Sequence, residues 1–171
     1  MDDQRKSGFL DFEPDDVVES EVIEHPTTTN ERSLARQVAL QVLYEVDSAG
    51  HPVGEVITGQ LEYHQLSERA SKYMRGLVLG VLERRTKLDQ VIQRFAPEWP
   101  LAQVAIVDRN ILRISVYEFA VDDQTPVKVA IDEAVELAKL FGAEGTPRFV
   151  NGVLGSLTED LDTIREMLKV D

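Results

Sequence analysis

The chain of 171 residues contains no cysteine, which excludes disulfides, thiolate metal sites and cysteine nucleophiles. No apolar run approaches the ~20 residues that a membrane-spanning helix needs. The acidic start of the chain lacks the basic segment and apolar stretch of a secretory signal peptide. We therefore expect a cytoplasmic protein without a membrane partner.

Positive charge is also scarce, because 18 lysines and arginines face 31 acidic residues, for a net charge of −13. Such a balance argues against indiscriminate binding to polyanions, although it permits a small local basic site. Residues 1–30 hold nine acidic and two basic residues, a net charge of −7. We interpret them as an acidic disordered tail, most simply a solvating one, with RNA mimicry or partner binding as the alternative. Residues 31–171 then form one domain.

Apolar residues recur with helical spacing from residue 30 onward. Four such apolar stripes precede Pro97. Segment 101–121 is apolar on nearly all sides, which is typical of a buried central helix. No stretch alternates strictly, as a strand would. The sequence predicts an all-α fold of about seven helices without a sheet, in two packed halves joined near residues 96–100. The first stripe is Ala35, Val38, Ala39, Val42, Leu43 and Val46.

The segment TPRFVNGVLG, residues 146–155, contains Asn151-Gly152, a dipeptide typical of hairpin turns. The apolar residues around it nevertheless keep helical spacing. The segment starts with Thr146-Pro147, as an earlier one starts at Thr125, a pattern typical of a helix cap and first residue. We predict a helix through Gly152, and we expect a neighbouring helix to approach this glycine, which costs about 1 kcal/mol relative to alanine.

Catalytic motifs are lacking. None of the three histidines has a metal-site spacing, and the chain contains no Walker A loop, GxGxxG or GxSxG. The sequence therefore predicts a protein that is not an enzyme and needs no cofactor or metal. Asp108, Arg109 and Arg113 interrupt the apolar central helix, and an internal salt-bridge network is the favoured interpretation.

The start of the helix at residue 146 is the best candidate binding site. Free N–H groups at a helix N-terminus suit phosphate, and the first turn contains Thr146, Arg148 and Phe149, whose ring could stack on a base. The equally weighted alternative is that Phe149 belongs to the core and Arg148 is a solvated charge. Arg32 and Arg36, one turn apart, form a second basic spot, which is more often plain solvated surface.

Four blocks in one order resemble the NusB family of bacterial transcription antitermination factors, and the resemblance extends from Glu31 to about Leu157. It implies two perpendicular three-helix bundles. It also implies binding to the boxA element of ribosomal RNA leader transcripts, as a heterodimer with the ribosomal protein NusE, within an antitermination complex on RNA polymerase. The blocks are ARQVALQVLYEV, VDRNILRISVYEF, PVKVAIDEAVELAKLFG and RFVNGVL.

The resemblance also implies residue roles. Phe149 matches an aromatic residue placed against RNA, and Arg36 and Phe95 match positions on the same side. Tyr44 and Asp108 match positions that face the ribosomal protein. The family's arginine run before the first helix is reduced here to NERSLAR, so we expect modest affinity for RNA alone.

Three alternatives remain at this point. A purely helical adaptor would bind protein and no RNA. A NusB-like module of an rRNA cytosine methyltransferase is a minor alternative, since we expect no room for a catalytic domain in this chain. A homodimer, which occurs in some relatives, is an alternative assembly.

Overall fold

The computed structural model describes residues 28–169, and this part of the chain contains helices and no strand. The all-α prediction is confirmed, with eight α-helices where about seven were predicted. A 3₁₀ turn, Leu101–Gln103, and a π-helical turn, Tyr117–Asp122, flank the fifth helix. The helices are α1 Thr28–Ala49, α2 Val53–Tyr63, α3 Glu68–Glu83, α4 Arg85–Phe95, α5 Ile106–Val116, α6 Val127–Phe141, α7 Thr146–Thr158 and α8 Leu161–Leu168.

The predicted acidic tail lies almost wholly outside the described residues. Helix α1 begins at Thr28, so it includes the last three residues that were assigned to the tail. For residues 1–27, the acidic disordered tail therefore stays a prediction from the sequence.

The helices form two packed groups, as predicted, but the groups divide before α4 and not near residues 96–100. Helix α1 packs along α2 and α3, while α5, α6 and α7 pack against one another. Contact between α1 and α5 joins the two groups, and α4 packs against α5, α7 and α8. The core is continuous from one group to the other, and its largest buried side chains come from α1, α3, α4, α5 and α7, and from the π-helical turn.

The apolar pattern of segment 101–121 predicted one central helix, but the structure divides this segment into three elements. Ala105 is extended (φ −52°, ψ 141°) and separates the 3₁₀ turn from α5. The Gln93 side chain accepts the Leu101 N–H at 2.8 Å, so this part of the backbone is tied to α4. After α5 the backbone forms the π-helical turn. This turn is followed by Asp123, whose backbone is in the left-handed region (φ 55°). Apolar spacing misses both changes, because each of these turns is too short to show a period of its own.

Thr125 and Thr146 do not cap their helices, contrary to the prediction. Pro126 caps α6 and Gly145 caps α7, neither through a side chain. The Thr125 hydroxyl instead donates to Glu118, and the Thr146 hydroxyl donates to Asp108, each at 3.0 Å. A carboxylate removed from water needs donors, and that need outweighs the ~1 kcal/mol of a helix cap.

Arg36 and Glu118 form a buried, two-pronged ion pair between α1 and the π-helical turn. Their side chains are 2% and 1% exposed, with Nε–Oε1 and Nη2–Oε2 distances of 2.7 and 2.8 Å. The Tyr73 hydroxyl donates to the same carboxylate at 2.6 Å. Burial and Glu118 raise the pKa of Tyr73 to about 12. Burial opposes the charge of Arg36, but Glu118 outweighs it and raises the pKa of the guanidinium.

A second network joins α1, α4 and α5. Asp47 accepts from Arg109 at 2.9 Å and from Arg113 at 3.0 Å, while Arg113 also pairs with Asp89 at 2.7 Å. The predicted internal salt-bridge network is therefore confirmed for Arg109 and Arg113. Asp108 lies apart from it, because its side chain is directed to α7.

Replacing Glu118 with glutamine should destabilise the protein by about 3–5 kcal/mol, because buried Arg36 would lose its main counter-charge. Urea denaturation followed by circular dichroism measures this change. Replacing Asp132 with asparagine is the matched control, since its pair with Lys128 is exposed and should contribute no more than about 0.5 kcal/mol. Equal effects of the two variants would contradict the assignment.

Asp47 should make the fold acid-sensitive. Burial alone would raise the pKa of Asp47, but hydrogen bonds from Arg109 and Asn110 and the charge of Arg113 lower it from 3.8 to about 2. Its stabilisation is therefore complete above about pH 4 and disappears as the pH falls toward about 2. The stability difference between the wild type and Asp47→Asn should shrink by about 2 kcal/mol over that window. A difference independent of pH would show that Asp47 is not the titrating group.

Candidate nucleic-acid interface

The start of α7 offers fewer free donors than the sequence predicts. The Thr146 N–H already bonds to the Ala143 carbonyl at 3.0 Å, and Pro147 has no N–H. The Thr146 side chain is buried and engaged by Asp108 and by the Ala143 N–H. The prediction that Thr146 contacts RNA is therefore corrected, because its hydroxyl is hydrogen-bonded inside the protein.

Asp108 supplies an internal anion at the N-terminal end of α7. Its Oδ1 accepts from the Thr146 hydroxyl, where the helix dipole favours negative charge. Burial raises the pKa of Asp108, and the hydrogen bond from Thr146 partly offsets that rise. Because the positive end of the helix is already complemented, a phosphate has little to gain there.

Three aromatic rings instead form a groove beside α7. Trp99 and Phe149 meet edge to face, with centroids 5.7 Å apart and planes 74° apart. Phe95 and Phe149 are partly buried against the core, whereas Trp99 is 56% exposed. Phe149 thus belongs to the core and to the surface at once. The groove, of about 320 Å³, is called the aromatic groove below, and it is lined by Phe95, Ala96, Pro97, Glu98, Trp99, Arg148, Phe149, Gly152, Val153 and Ser156.

The loop after α4 holds Trp99 in place. The Trp99 N–H donates to the Ala96 carbonyl at 3.1 Å. The Gln93 side-chain amide donates to the carbonyls of Ala96 and Trp99 at 3.1 and 3.2 Å. Pro97 and Pro100 stiffen the loop on both sides. Trp99 was not among the predicted site residues, although a tryptophan between two prolines in APEWP was an available signal.

The aromatic groove contains little positive charge. Exposed Arg148 and exposed Glu98 line it together, so their charges offset each other. Arg94 lies outside, with its guanidinium 5.9 Å from the centroid of the Phe95 ring. On its other side Arg148 borders a cleft that contains Asp132 and Glu136 of α6. Arg148 therefore lies between the aromatic groove and a largely acidic cleft, in which Lys139 is the other cation.

Arg32 and Arg36 do not form one basic spot. Arg36 is buried in its ion pair with Glu118, so the prediction that it contacts RNA is corrected. Arg32 lies over the Tyr73 ring, with 5.0 Å from its guanidinium carbon to the ring centroid. It borders a cleft of about 420 Å³ together with exposed Arg69 and Lys72 of α3. The basic residues near Arg32 thus come from another helix, which spacing along α1 cannot indicate.

Helices α1 and α6 run in the same direction, because both are antiparallel to α5. Ser33 on α1 donates to Glu133 on α6 at 2.9 Å. Tyr44 lies three turns after Ser33 and Leu140 two turns after Glu133, so both continue the faces that carry this contact. The contacts that fix the directions are Arg36–Glu118, Asp47–Arg109 and Ser115–Ala130.

Exposed apolar side chains concentrate on these two helices. Five of the eight large apolar side chains exposed within residues 31–169 belong to α1 and α6. Tyr44, predicted to face a protein partner, is 45% exposed among them. We use the name α1–α6 face for the exposed apolar residues of these two helices, which are Leu34, Tyr44, Val129, Leu140 and Phe141.

Gly152 lies on the floor of the aromatic groove and not at a helix crossing. The predicted helix through Asn151-Gly152 is confirmed, but the expected close approach is wrong, since a Cβ at Gly152 would meet no atom within 4 Å. Close approaches occur elsewhere. A Cβ at Gly80 would collide with the Tyr117 ring, and one at Gly142 with the Thr146 side chain.

The described residues hold no cluster of three or more side chains suited to a metal ion. Within the same range no helix is long and apolar enough to cross a membrane.

Comparison with known proteins gives a consistent match. The NusB family model matches residues 33–159. The transcription antitermination protein NusB of Roseiflexus castenholzii is 44% identical over 128 residues, 74% of this chain and 90% of that protein. Its counterpart in Dehalococcoides mccartyi (strain ATCC BAA-2266 / KCTC 15142 / 195) is 40% identical over 139 residues, 81% of this chain and 97% of that protein.

Two solved structures extend the match to the fold. NusB from T. maritima superposes with a TM-score of 0.70 at 28% identity, over 75% of this chain and 91% of that chain. A crystal structure of the antitermination factors NusB and NusE in complex with dsRNA gives a TM-score of 0.70 at 27% identity, over 75% of this chain and 96% of that chain.

Replacing Gly152 with alanine should stabilise the protein by about 0.5–1 kcal/mol, because alanine favours the helix and its methyl group has open space. Thermal and urea denaturation measure this gain. The same change at Gly80 is the matched control, and it should destabilise the fold by collision with Tyr117. A loss of stability at Gly152 would mean that another element packs there.

Proposed function

Because the chain belongs to the NusB family, whose curated relatives are transcription antitermination proteins, we propose that it is a transcription antitermination factor. In this proposal it binds the boxA element of ribosomal RNA transcripts together with the ribosomal protein NusE and promotes transcription of ribosomal RNA. It acts within the antitermination complex on RNA polymerase, as a binding protein and not as an enzyme.

The observation that carries the proposal is the partial exposure of Phe149 in the aromatic groove. A ring fixed against the core on one side and open on the other can stack on an RNA base without losing much side-chain freedom. Phe95 and Arg148 adjoin it and complete this RNA-binding surface. The related structure that contains NusB, NusE and dsRNA supports a nucleic-acid partner for this fold.

Arg32 contributes at a second position. Its guanidinium lies with exposed Arg69 and Lys72 around one cleft. A phosphate of the RNA backbone would be attracted to this group. Glu31 and Asp122 line the same cleft and limit that attraction.

The α1–α6 face is the proposed surface for NusE. Tyr44 is an exposed aromatic residue on this face, of the kind that anchors protein interfaces. Asp108, at the start of α5, is the second residue proposed to contact NusE, through the carboxylate oxygen that does not accept from Thr146. The net charge of −13 favours a basic partner, as an RNA-binding ribosomal protein would be. A homodimer through the same face is the competing assembly.

Few phosphate contacts are available, so the protein alone should bind RNA modestly. The logarithm of the binding constant should fall with the logarithm of salt concentration by about 0.7 per phosphate contact. A shallow slope of about 1–2 is expected, and a steep slope would contradict this distribution of charge.

The deciding experiment is a fluorescence-anisotropy titration of a labelled boxA-type RNA with the protein, alone and with NusE, against a scrambled RNA. Replacing Phe149 with alanine should weaken RNA binding by about 5- to 100-fold, because one stacked base is worth ~1–3 kcal/mol. Binding to NusE should stay unchanged.

Replacing Tyr44 with aspartate is the matched variant on the other surface. It should weaken NusE binding and leave the affinity of the protein alone for RNA unchanged. The adaptor alternative, which the exposed α1–α6 face favours, requires NusE binding without any boxA selectivity. That result with the wild-type protein would overturn the RNA-binding proposal.

A further inference from the structure

Trp99 is a large aromatic residue whose ring is not buried in the core. More than half of its surface is exposed, although a tryptophan normally hides its ring in a core or an interface. Its contact with Phe149 uses part of that ring edge to face. The loop hydrogen bonds from Gln93 hold its backbone, so the indole is displayed on a supported loop.

The charges around the aromatic groove indicate what it binds. Arg148 and Glu98 offset each other, and α7 offers its N-terminal end to Asp108 and not to a ligand. A phosphate would therefore find weak attraction in the groove. A nucleobase is uncharged and binds aromatic faces by stacking, which needs no net positive charge.

The floor of the groove leaves room for such a base. Gly152 has no side chain, and a Cβ there would meet only open space. Glycine at such a position lets a ligand approach the helix backbone closely, and this offsets its cost to the helix. Trp99 lies on the loop after α4, whereas Phe149 and Gly152 both belong to α7, and together the three residues form one slot.

We propose that Trp99 is a second base-stacking residue beside Phe149, and that one unpaired RNA base lies on its exposed indole face. Phe149 contacts the indole edge to face, and Gly152 provides the space that the base enters. This inference rests on the proposed RNA-binding function and adds a residue to it. It predicts preference for a single-stranded element over a fully paired duplex, because a paired base cannot leave its stack without cost.

The chain contains one tryptophan, so its emission reports on this site alone. Titration of the full-length protein with a single-stranded boxA-type RNA should quench that emission in step with the anisotropy of the labelled RNA. A duplex of the same sequence should quench it much less.

Variants of Trp99 separate stacking from structure. Trp99→Ala should weaken RNA binding by about 5- to 100-fold, and Trp99→Phe, which keeps an aromatic face, should retain most of the affinity. Tyr63→Ala is the matched control, because Tyr63 is an 83% exposed aromatic residue on α2, and it should bind as the wild type does. Thermal denaturation verifies that each variant is folded.

A second variant leaves the Trp99–Phe149 contact intact. Gly152→Leu should fill the slot from its floor and weaken RNA binding to a similar extent, with an unchanged tryptophan emission maximum for the free protein. It therefore tests the slot even if Trp99→Ala disturbs the loop.

The outcomes distinguish this inference from the function beneath it. If RNA binds and depends on Phe149, but the emission does not change and both Trp99→Ala and Gly152→Leu bind normally, the stacking role of Trp99 is wrong and RNA binding stands. If the wild-type protein binds no RNA with or without NusE, the proposed function fails, and the inference fails with it.

Discussion

The buried ion pair between Arg36 and Glu118 is the constraint on which the other surfaces depend. It joins α1 to the turn that follows α5, and Tyr73 from α3 and Thr125 from the start of α6 bond to the same carboxylate. Three helices are thereby brought to one carboxyl group. A buried pair contributes little net stability, since desolvation offsets its attraction, but it tolerates few alternative arrangements. The position of α6 relative to α1, and so the α1–α6 face, follows from it.

The sequence predicted the helices well because their apolar residues face one core. Even the helix through Asn151-Gly152 was predicted correctly, against the local preference of that dipeptide for a turn. The errors concern polar side chains at Arg36, Thr125 and Thr146, whose local patterns suggest a solvated charge and two helix caps. Each bonds to a residue 38 to 82 positions away in the chain or, for Thr125, to a buried carboxylate seven positions before it. Apolar periodicity contains no information about such pairings.

The candidate site was predicted in part. Phe149 and Phe95 line one groove, and Arg148 lies beside them. Trp99 was missed because its loop has no periodicity from which orientation could be inferred. Gly152 was correctly placed in a helix and wrongly explained, because a glycine in the sequence does not show whether another helix crosses there. Of the two interactions inferred from the sequence, the structure disfavours phosphate binding at the start of α7, where Asp108 and Thr146 already pair, and leaves base stacking.

The π-helical turn has a consequence for how this segment can vary in length. A π turn contains about one residue more than an α-helical turn, and removing one residue would rotate everything beyond it by about 100°. Glu118 and Thr125 bond to each other across this segment, and Asp123 reverses the chain between them in the left-handed region. Arg165 of α8 also bonds to Asp123 and to the Phe119 carbonyl. Residues 117–125 can therefore exchange their exposed side chains far more readily than they can gain or lose a residue.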